Sequence, residues 1–202
     1  NQILMDEFKL KGAETAKSIK DLVMNSDILI TCLPSPKICA EVLESKDGII
    51  DTIQKDQIWI EMSTTEDEQL KKHASLIQQK NAIALEAPVS GGCHRAATGN
   101  ISIFVGGSRE GFDKAMPVLK CLGRKILYTG DFGSASILKV ITNYLATVHL
   151  VALGEAWTIA SKSNLDLNKT FKGIAASSGN SFVHETESQV ILNGSYLSLI
   201  HI

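Results

Sequence analysis

The sequence predicts an α/β domain built on a parallel sheet, followed by an all-α domain that a long helix enters. Three observations carry that expectation. Strand-like apolar runs alternate with helical patterns through the first 130 residues, as they do when helices pack on a parallel sheet. Past Gly130 and Gly133 the strand signal stops and only helical patterns follow. The first of those, over 137–157, is apolar on nearly every face, which predicts a buried helix rather than a surface one.

Taken in order, residues 19–25 read as a short helix leading into a strand at 27–33. Pro34-Ser35-Pro36 stops that strand, since two close prolines mark a loop at a strand's carboxyl end. A helical pattern resumes at 38–43, and 48–53 reads as a turn or short helical piece. The next strand, 57–62, ends in Ser63-Thr64-Thr65-Glu66-Asp67, a capping-type start for a helix over 67–80. A strand at 82–86 runs into Ala87-Pro88-Val89-Ser90-Gly91-Gly92. A strand at 101–106, a helix at 112–122 and a strand at 125–128 complete the sheet. Helices follow at 134–163, 166–176 and 180–192.

These elements divide into a first domain over 1–133 and an all-α domain over 134–196. The chain opens on Asn1-Gln2 in a continuing α/β pattern, and Leu197-Ser198-Leu199-Ile200-His201-Ile202 reads like a translated sequencing adapter. The expectation is a fragment lacking both ends, with 197–202 a non-native tail.

Composition bounds the function. The chain has 202 residues, 44% hydrophobic and 21% charged, with a formal net charge of −2; this is an ordinary balance for a water-soluble enzyme. It lacks the basic excess of nucleic-acid or membrane-surface binders. Lys139, Asn143, His149 and Glu155 interrupt the long helix, so no apolar run reaches the about 18–20 residues of a membrane span. There is no signal or transit peptide pattern, and a cytoplasmic enzyme is expected. The four cysteines form no C-x-x-C pair and read as buried reduced thiols. The five histidines are scattered, so no metal site is expected.

In open α/β sheets, ligands bind at the carboxyl ends of strands. Three polar loops have that position: Leu33-Pro34-Ser35, Ser63-Thr64-Thr65 and Ser90-Gly91-Gly92. None is a phosphate loop, and no G-x-G-x-x-G occurs. Ser90-Gly91-Gly92 reads as either a tight turn or a small-anion site, where adjacent glycines let backbone N–H groups approach closely. Lys139 and Asn143, four residues apart, share one face of the long helix. Lys139 could instead snorkel to solvent, and Asn143 could bond a neighbouring loop.

Linked motifs favour the functional alternatives. Glu61-Met62-Ser63-Thr64, Ala87-Pro88-Val89-Ser90-Gly91-Gly92, Gly99-Asn100, Phe104-Val105-Gly106-Gly107 and Gly130…Gly133…Lys139-x-x-x-Asn143 occur in order. With Leu33-Pro34, Glu155-Ala156 and Ser177-Ser178-Gly179, the set resembles the β-hydroxyacid dehydrogenase family. The similarity lies on the 3-hydroxyisobutyrate dehydrogenase branch, related to the 6-phosphogluconate dehydrogenases. It implies a Rossmann-type domain followed by an all-α domain, with the active site in the cleft between them. Members begin with a Gly-rich turn that holds the pyrophosphate, which this sequence does not contain.

The resemblance implies that Lys139 is the catalytic lysine and that Asn143 helps hold the substrate. It further implies that Ser90, Gly91 and Gly92 bind the substrate carboxylate, and that Leu33, Pro34 and Thr64 line the nicotinamide end of NAD or NADP. A lysine beside a nicotinamide cation in a partly desolvated cleft should have a lowered pKa, as a proton-moving group requires. The 6-phosphogluconate branch carries a glutamate acid at the position of Ala146, and a methyl there cannot protonate an enediol. Hydride transfer without decarboxylation is therefore expected. Glu61 stands at the family's usual aspartate and reads as a tolerated change; Cys93-His94-Arg95 replaces smaller residues in a loop that either faces solvent or tunes substrate choice.

The expected function is thus oxidation of a small 3-hydroxyisobutyrate-like acid. The alternatives are reduction of glyoxylate, succinic or tartronate semialdehyde, and a non-catalytic dinucleotide-binding dimerisation module. Asn1-Gln2 offers no arginine for a 2′-phosphate, a lean toward NAD that leaves NADP open. Relatives dimerise through the all-α domain, so a homodimer or homotetramer is expected of the intact protein.

Overall fold

A computed structural model describes residues 2–194, apart from the side chain of His94. The order is α1 (Gln2–Leu10), α2 (Ile19–Met24), β1 (Ile28–Thr31), α3 (Pro36–Glu44), α4 (Ile49–Thr52), β2 (Ile58–Glu61), α5 (Asp67–Gln79) and β3 (Ile83–Glu86). Then come β4 (Val89–Ser90), α6 (Gly92–Ala97), β5 (Ile101–Gly107), α7 (Arg109–Leu122), β6 (Gly123–Gly130), α8 (Ser134–Lys162), α9 (Leu167–Ala175) and α10 (Phe182–Asn193). The expected tail at 197–202 lies outside the described residues. α1 was not expected from sequence; it buries none of its side chains.

The chain divides into two compact units, Asn1–Lys139 and Val140–Ile202. The division falls inside α8 rather than at the glycines before it.

In the first unit, β1, β2 and β3 are parallel, with Thr31, Glu61 and Glu86 level at their carboxyl ends. The helices that follow β1 and β2 cover one face. Trp59 lies there, fully buried among Val23, Leu29, Leu43, Leu70 and Ile77. Ile58 and Ile60 point to the opposite face with Leu85, Ile103, Val105, Phe112 and Leu119. Side chains alternate along a strand, so a strand covered on both faces must be apolar throughout, and all four β2 residues are buried.

The Rossmann-type α/β class holds, but the sheet is mixed rather than all parallel. β5 runs antiparallel to β3, pairing Leu85 with Gly107 and Glu86 with Gly106. A parallel return needs a crossover of about a dozen residues or more, whereas here the intervening segment is taken up by β4 and the six-residue α6. β4 continues the line of β3 along β5, pairing Ser90 with Ser102. β6 is parallel to β5 and ends beside Gly106. The expected cap of α5 also differs: its N-cap is Glu66, without a side-chain bond, because the Ser63 hydroxyl is used elsewhere.

In the second unit, Leu153, Trp157 and Ala160 of α8 pack with Val183 of α10 and with Leu167, Phe171 and Ile174. Trp157 Nε1 donates to Ser188 Oγ at 3.3 Å, Ser188 Oγ lies 2.9 Å from His184 Nδ1, and His184 Nε2 lies 3.1 Å from the Phe171 carbonyl. A carbonyl only accepts, so Nε2 carries a proton; in the neutral ring Nδ1 then accepts from Ser188.

The expectation of a buried long helix is not met. Ile137, Val140, Ile141, Tyr144, Leu145, Val148, Leu150 and Val151 are all exposed. A helix apolar all round needs cover on several sides, and α9 and α10 meet only the distal part of α8. Nor do its polar residues disqualify it as a span: an 18-residue window has mean hydropathy 1.5, enough in length and composition to cross a membrane. An average over the window tolerates scattered polar residues that an uninterrupted apolar run does not. Core helices of water-soluble proteins meet the same criterion.

Candidate active site

A hydrogen-bonded chain holds the loops after β1 and β2. Trp59 Nε1 donates to Thr31 Oγ1 at 3.0 Å, and Thr31 Oγ1 donates to Glu61 Oε2 at 2.8 Å. Glu61 Oε1 accepts from the Ser63 backbone N–H at 2.7 Å. The Ser63 hydroxyl accepts in turn from the Leu33 N–H at 2.7 Å and from the Cys39 thiol at 3.5 Å. Glu61 is fully buried, and its polar reach is satisfied by the loops themselves, as burial of a carboxylate demands. What reads in sequence as a tolerated change is the pin that joins two expected cofactor loops.

On that frame Leu33 is half-buried, while Pro34 and Thr64 are exposed. The neighbouring Thr65 Oγ1 is buried with no hydrogen-bond partner among the described residues. Buried polar atoms are rarely left so. Leu33 and Pro34 offer apolar surface, and the hydroxyls of Thr64 and Thr65 offer polar groups, of the kinds that the ring and the carboxamide of a nicotinamide respectively need. Among the described residues no Gly-rich turn is present to hold a pyrophosphate. Although Cys32 is exposed as a residue, partial desolvation of its thiol, and after it the Glu61 carboxylate, raises that thiol above its ordinary pKa. The expectation of buried thiols holds only for Cys39; Cys32, Cys93 and Cys121 are exposed residues, since they sit in a loop or on outward helix positions.

A second buried carboxylate, Glu86, ends β3 beside Glu61. Its Oε1 accepts from the backbone N–H of Gly133 at 2.8 Å and of Ala135 at 2.7 Å, and its Oε2 accepts from Ser136 Oγ at 2.5 Å. The start of α8 is thereby tied to the carboxyl edge of the sheet. Thr129 Oγ1, which donates to the Val105 carbonyl, lies 2.7 Å from Ser134 Oγ and adds a second tie.

Lys139 follows on the second turn of α8. It is half-buried, and burial lowers its ammonium below the ordinary lysine pKa. That direction matches the sequence expectation, and desolvation of the charged form is its cause. Asn143 lies four residues on along the same helix face, exposed and in the second unit; Ala146 is exposed too. Ser90 is half-buried beyond the end of β3, and Gly91 and Gly92 follow with φ of 136° and 75°. Residues with side chains rarely adopt such angles, and two adjacent glycines leave the backbone here uncovered by side chains of their own. Arg95 packs its aliphatic stem against Gly91, where a Cβ would meet its Cδ at 2.9 Å.

The structure therefore joins the Leu33-Pro34 and Ser63-Thr64 loops by a direct hydrogen bond. It also brings the base of the Lys139 helix to the same sheet edge. Sequence reasoning missed Glu86 and Thr31, undervalued Glu61, and gave Thr65 no role beyond its place in a strand-end loop. One signal was available: two runs that are otherwise apolar, Ile58-Trp59-Ile60-Glu61 and Ile83-Ala84-Leu85-Glu86, each end in a carboxylate.

Residues 1–130 match the family model described as the NAD binding domain of 6-phosphogluconate dehydrogenase. Residues 133–200 match that described as NAD-binding of NADP-dependent 3-hydroxyisobutyrate dehydrogenase. The mitochondrial 3-hydroxyisobutyrate dehydrogenase of Rattus norvegicus is 33% identical over 184 residues, 91% of this chain and 55% of the rat protein. The 2-(hydroxymethyl)glutarate dehydrogenase of Eubacterium barkeri is 29% identical over 92% of this chain and 62% of its own length. The chain thus spans about half to two thirds of the curated relatives it matches. Among solved structures, a 3-hydroxyisobutyrate dehydrogenase from Salmonella typhimurium superimposes with a TM-score of 0.85 at 26% identity, over 98% of this chain and 70% of that one.

Proposed function

The chain belongs to the β-hydroxyacid dehydrogenase family, and from that premise we propose that the intact protein transfers a hydride between NAD or NADP and a small β-hydroxy acid of 3-hydroxyisobutyrate type. The observation that carries this reading is Lys139: a half-buried lysine with a lowered pKa, on a helix whose start is tied to the carboxyl edge of the sheet.

When bound, a nicotinamide dinucleotide supplies the hydride acceptor for oxidation or the donor for reduction. The residues of this chain do the rest. Lys139 Nζ, as the neutral amine, removes the hydroxyl proton of the alcohol; as the ammonium, it returns that proton in the reverse direction. Asn143 orients the hydroxyl oxygen from one turn further along the helix. Ser90 Oγ and the N–H groups of Gly91 and Gly92 hold the substrate carboxylate. Leu33, Pro34 and Thr64 line the nicotinamide end, with Thr65 Oγ1 available to it. Ala146 has no proton to give an enediol, so the reaction stops at hydride transfer.

The pH dependence follows from the sign of the Lys139 shift. A lowered pKa populates the amine at lower pH than in an ordinary lysine. Alcohol oxidation should then rise as pH climbs through that lowered pKa and level off above it, while carbonyl reduction should fall over the same range. A pH profile of kcat/KM in both directions checks this.

Lys139→Ala in the full-length enzyme should lower kcat by about 10²–10⁴-fold; near-wild-type turnover would overturn the assignment. Comparing kcat/KM for 3-hydroxyisobutyrate, tartronate semialdehyde, glyoxylate and succinic semialdehyde fixes the substrate. Loss of dinucleotide turnover with every one of them, alongside retained binding, would favour a non-catalytic module. The exposed apolar face of α8 supports self-association as a homodimer or homotetramer. The free cysteines suit a reducing compartment, the cytoplasm or a mitochondrial matrix.

A further inference from the structure

We propose that Glu86 is a positioning residue for catalysis: by accepting from Gly133, Ala135 and Ser136 it fixes the first turn of α8, and with it the place of Lys139. The inference rests on the reading of Lys139 as the proton-moving group.

The junction between β6 and α8 gives the reason a tether is needed. It contains Gly130 and Gly133, with φ of 115° and 104°, so its backbone has a freedom that no side chain limits. A helix of 29 residues leaving such a junction would pivot at its first turn. The first N–H groups of a helix have no partners within it, and two groups at this start, those of Gly133 and Ala135, converge on one buried carboxylate oxygen. The negative charge also faces the positive end of the helix dipole. Glu86 belongs to β3, whose register with β2 is fixed at every residue. The rigid centre of the sheet therefore sets where α8 begins, and Lys139 follows within a turn and a half.

Space around Glu86 is kept clear from the far side. Gly106 pairs with Glu86 across β3 and β5, and a Cβ on Gly106 would overlap Glu86 Oε1 and lie 3.1 Å from its Cδ. Gly106 has no positive φ to require glycine. Its missing side chain instead leaves room for the carboxylate. The test can thus reach Glu86 in two independent ways.

The experiment compares Glu86→Gln, Gly106→Ala and Ser136→Ala in the full-length enzyme, with two readouts. One is steady-state kinetics; the other is the pH dependence of Lys139 acylation by an amine reagent, followed by mass spectrometry without substrate. Glu86→Gln keeps an acceptor oxygen but removes the charge, Gly106→Ala displaces the carboxylate, and Ser136→Ala removes one bond of three. The expected result is a kcat lowered about tenfold or more by the first two, with substrate KM within about twofold. The titration of the Lys139 amine should move up toward that of an ordinary lysine, because a loosened first turn exposes it. Ser136→Ala should fall between these and wild type. A lowered Tm with kcat and the Lys139 titration both unchanged would overturn the proposal and leave Glu86 merely structural. Full activity of Lys139→Ala would instead defeat the functional reading, an outcome distinct from either result here.

Discussion

The strand Ile58–Glu61 and the stretch of α8 from Val140 to Val151 are both strongly apolar, yet every residue of the strand is buried and most of the helical stretch is exposed. The strand sits between two neighbours in its own sheet, with helices or further apolar residues over both faces. The helical stretch has α9 and α10 only along its distal part. Apolar composition states how much cover an element needs; whether the cover is present depends on what else packs there. The polar groups teach the same lesson. Glu61 and Glu86 are buried and bonded to loop and helix N–H groups, while Asn143 stands open on α8.

The largest expected difference is between core truncations. Trp59→Ala should cost about 3–5 kcal/mol through its cavity, with a further loss from the Thr31 bond, read as a drop in the denaturant midpoint. A cost below about 1 kcal/mol would mean that the β2 core tolerates a void. Next comes Glu61→Ala. It leaves the Ser63 N–H and Thr31 Oγ1 without their acceptor, at about 1–3 kcal/mol, and should raise the KM for dinucleotide by loosening the Leu33 loop. Unchanged stability would show that water replaces the carboxylate.

A smaller and different effect is expected on α8. Val148→Glu places a charge on the exposed apolar face, and should shift the full-length protein toward monomer in light scattering with little change in the Tm of any monomer present. An unaltered mass would separate the exposed face from self-association. The smallest effect is Val151→Ala, within about 0.5 kcal/mol for a site away from packing, in the monomeric state. A large loss there would abolish the contrast between the two regions.

Much of this was legible in the chain itself. Strand and helix positions follow from apolar periodicity and from Pro34-Ser35-Pro36, Gly130 and Gly133. The motif from Ala87 to Gly92 and the spacing of Lys139 and Asn143 point to the family, and they are the residues on which the proposed site rests. The antiparallel β5 was not legible, because β4 and α6 are too short for their pattern to stand out. Glu86 was passed over because a lone glutamate at a strand end has no periodicity; its partners lie 47, 49 and 50 residues away. The exposure of α8 was hidden for the opposite reason, since an all-round apolar helix predicts burial without naming the partner.

By itself, then, the sequence determined the succession of the longer strands and helices, the change from α/β to all-α, and the residue types from which the candidate site is proposed. Those are local properties, set by the period of the side chains and the identity of single residues. Only the tertiary structure decided that β5 reverses, that two buried carboxylates hold the loops after β1 and β2 and the start of α8, and that Lys139 is half-buried while the stretch of α8 from Val140 to Val151 is largely exposed. These depend on which residues far apart in the chain share one low-dielectric space, where an unpartnered N–H or carboxylate is costly enough to dictate its neighbours.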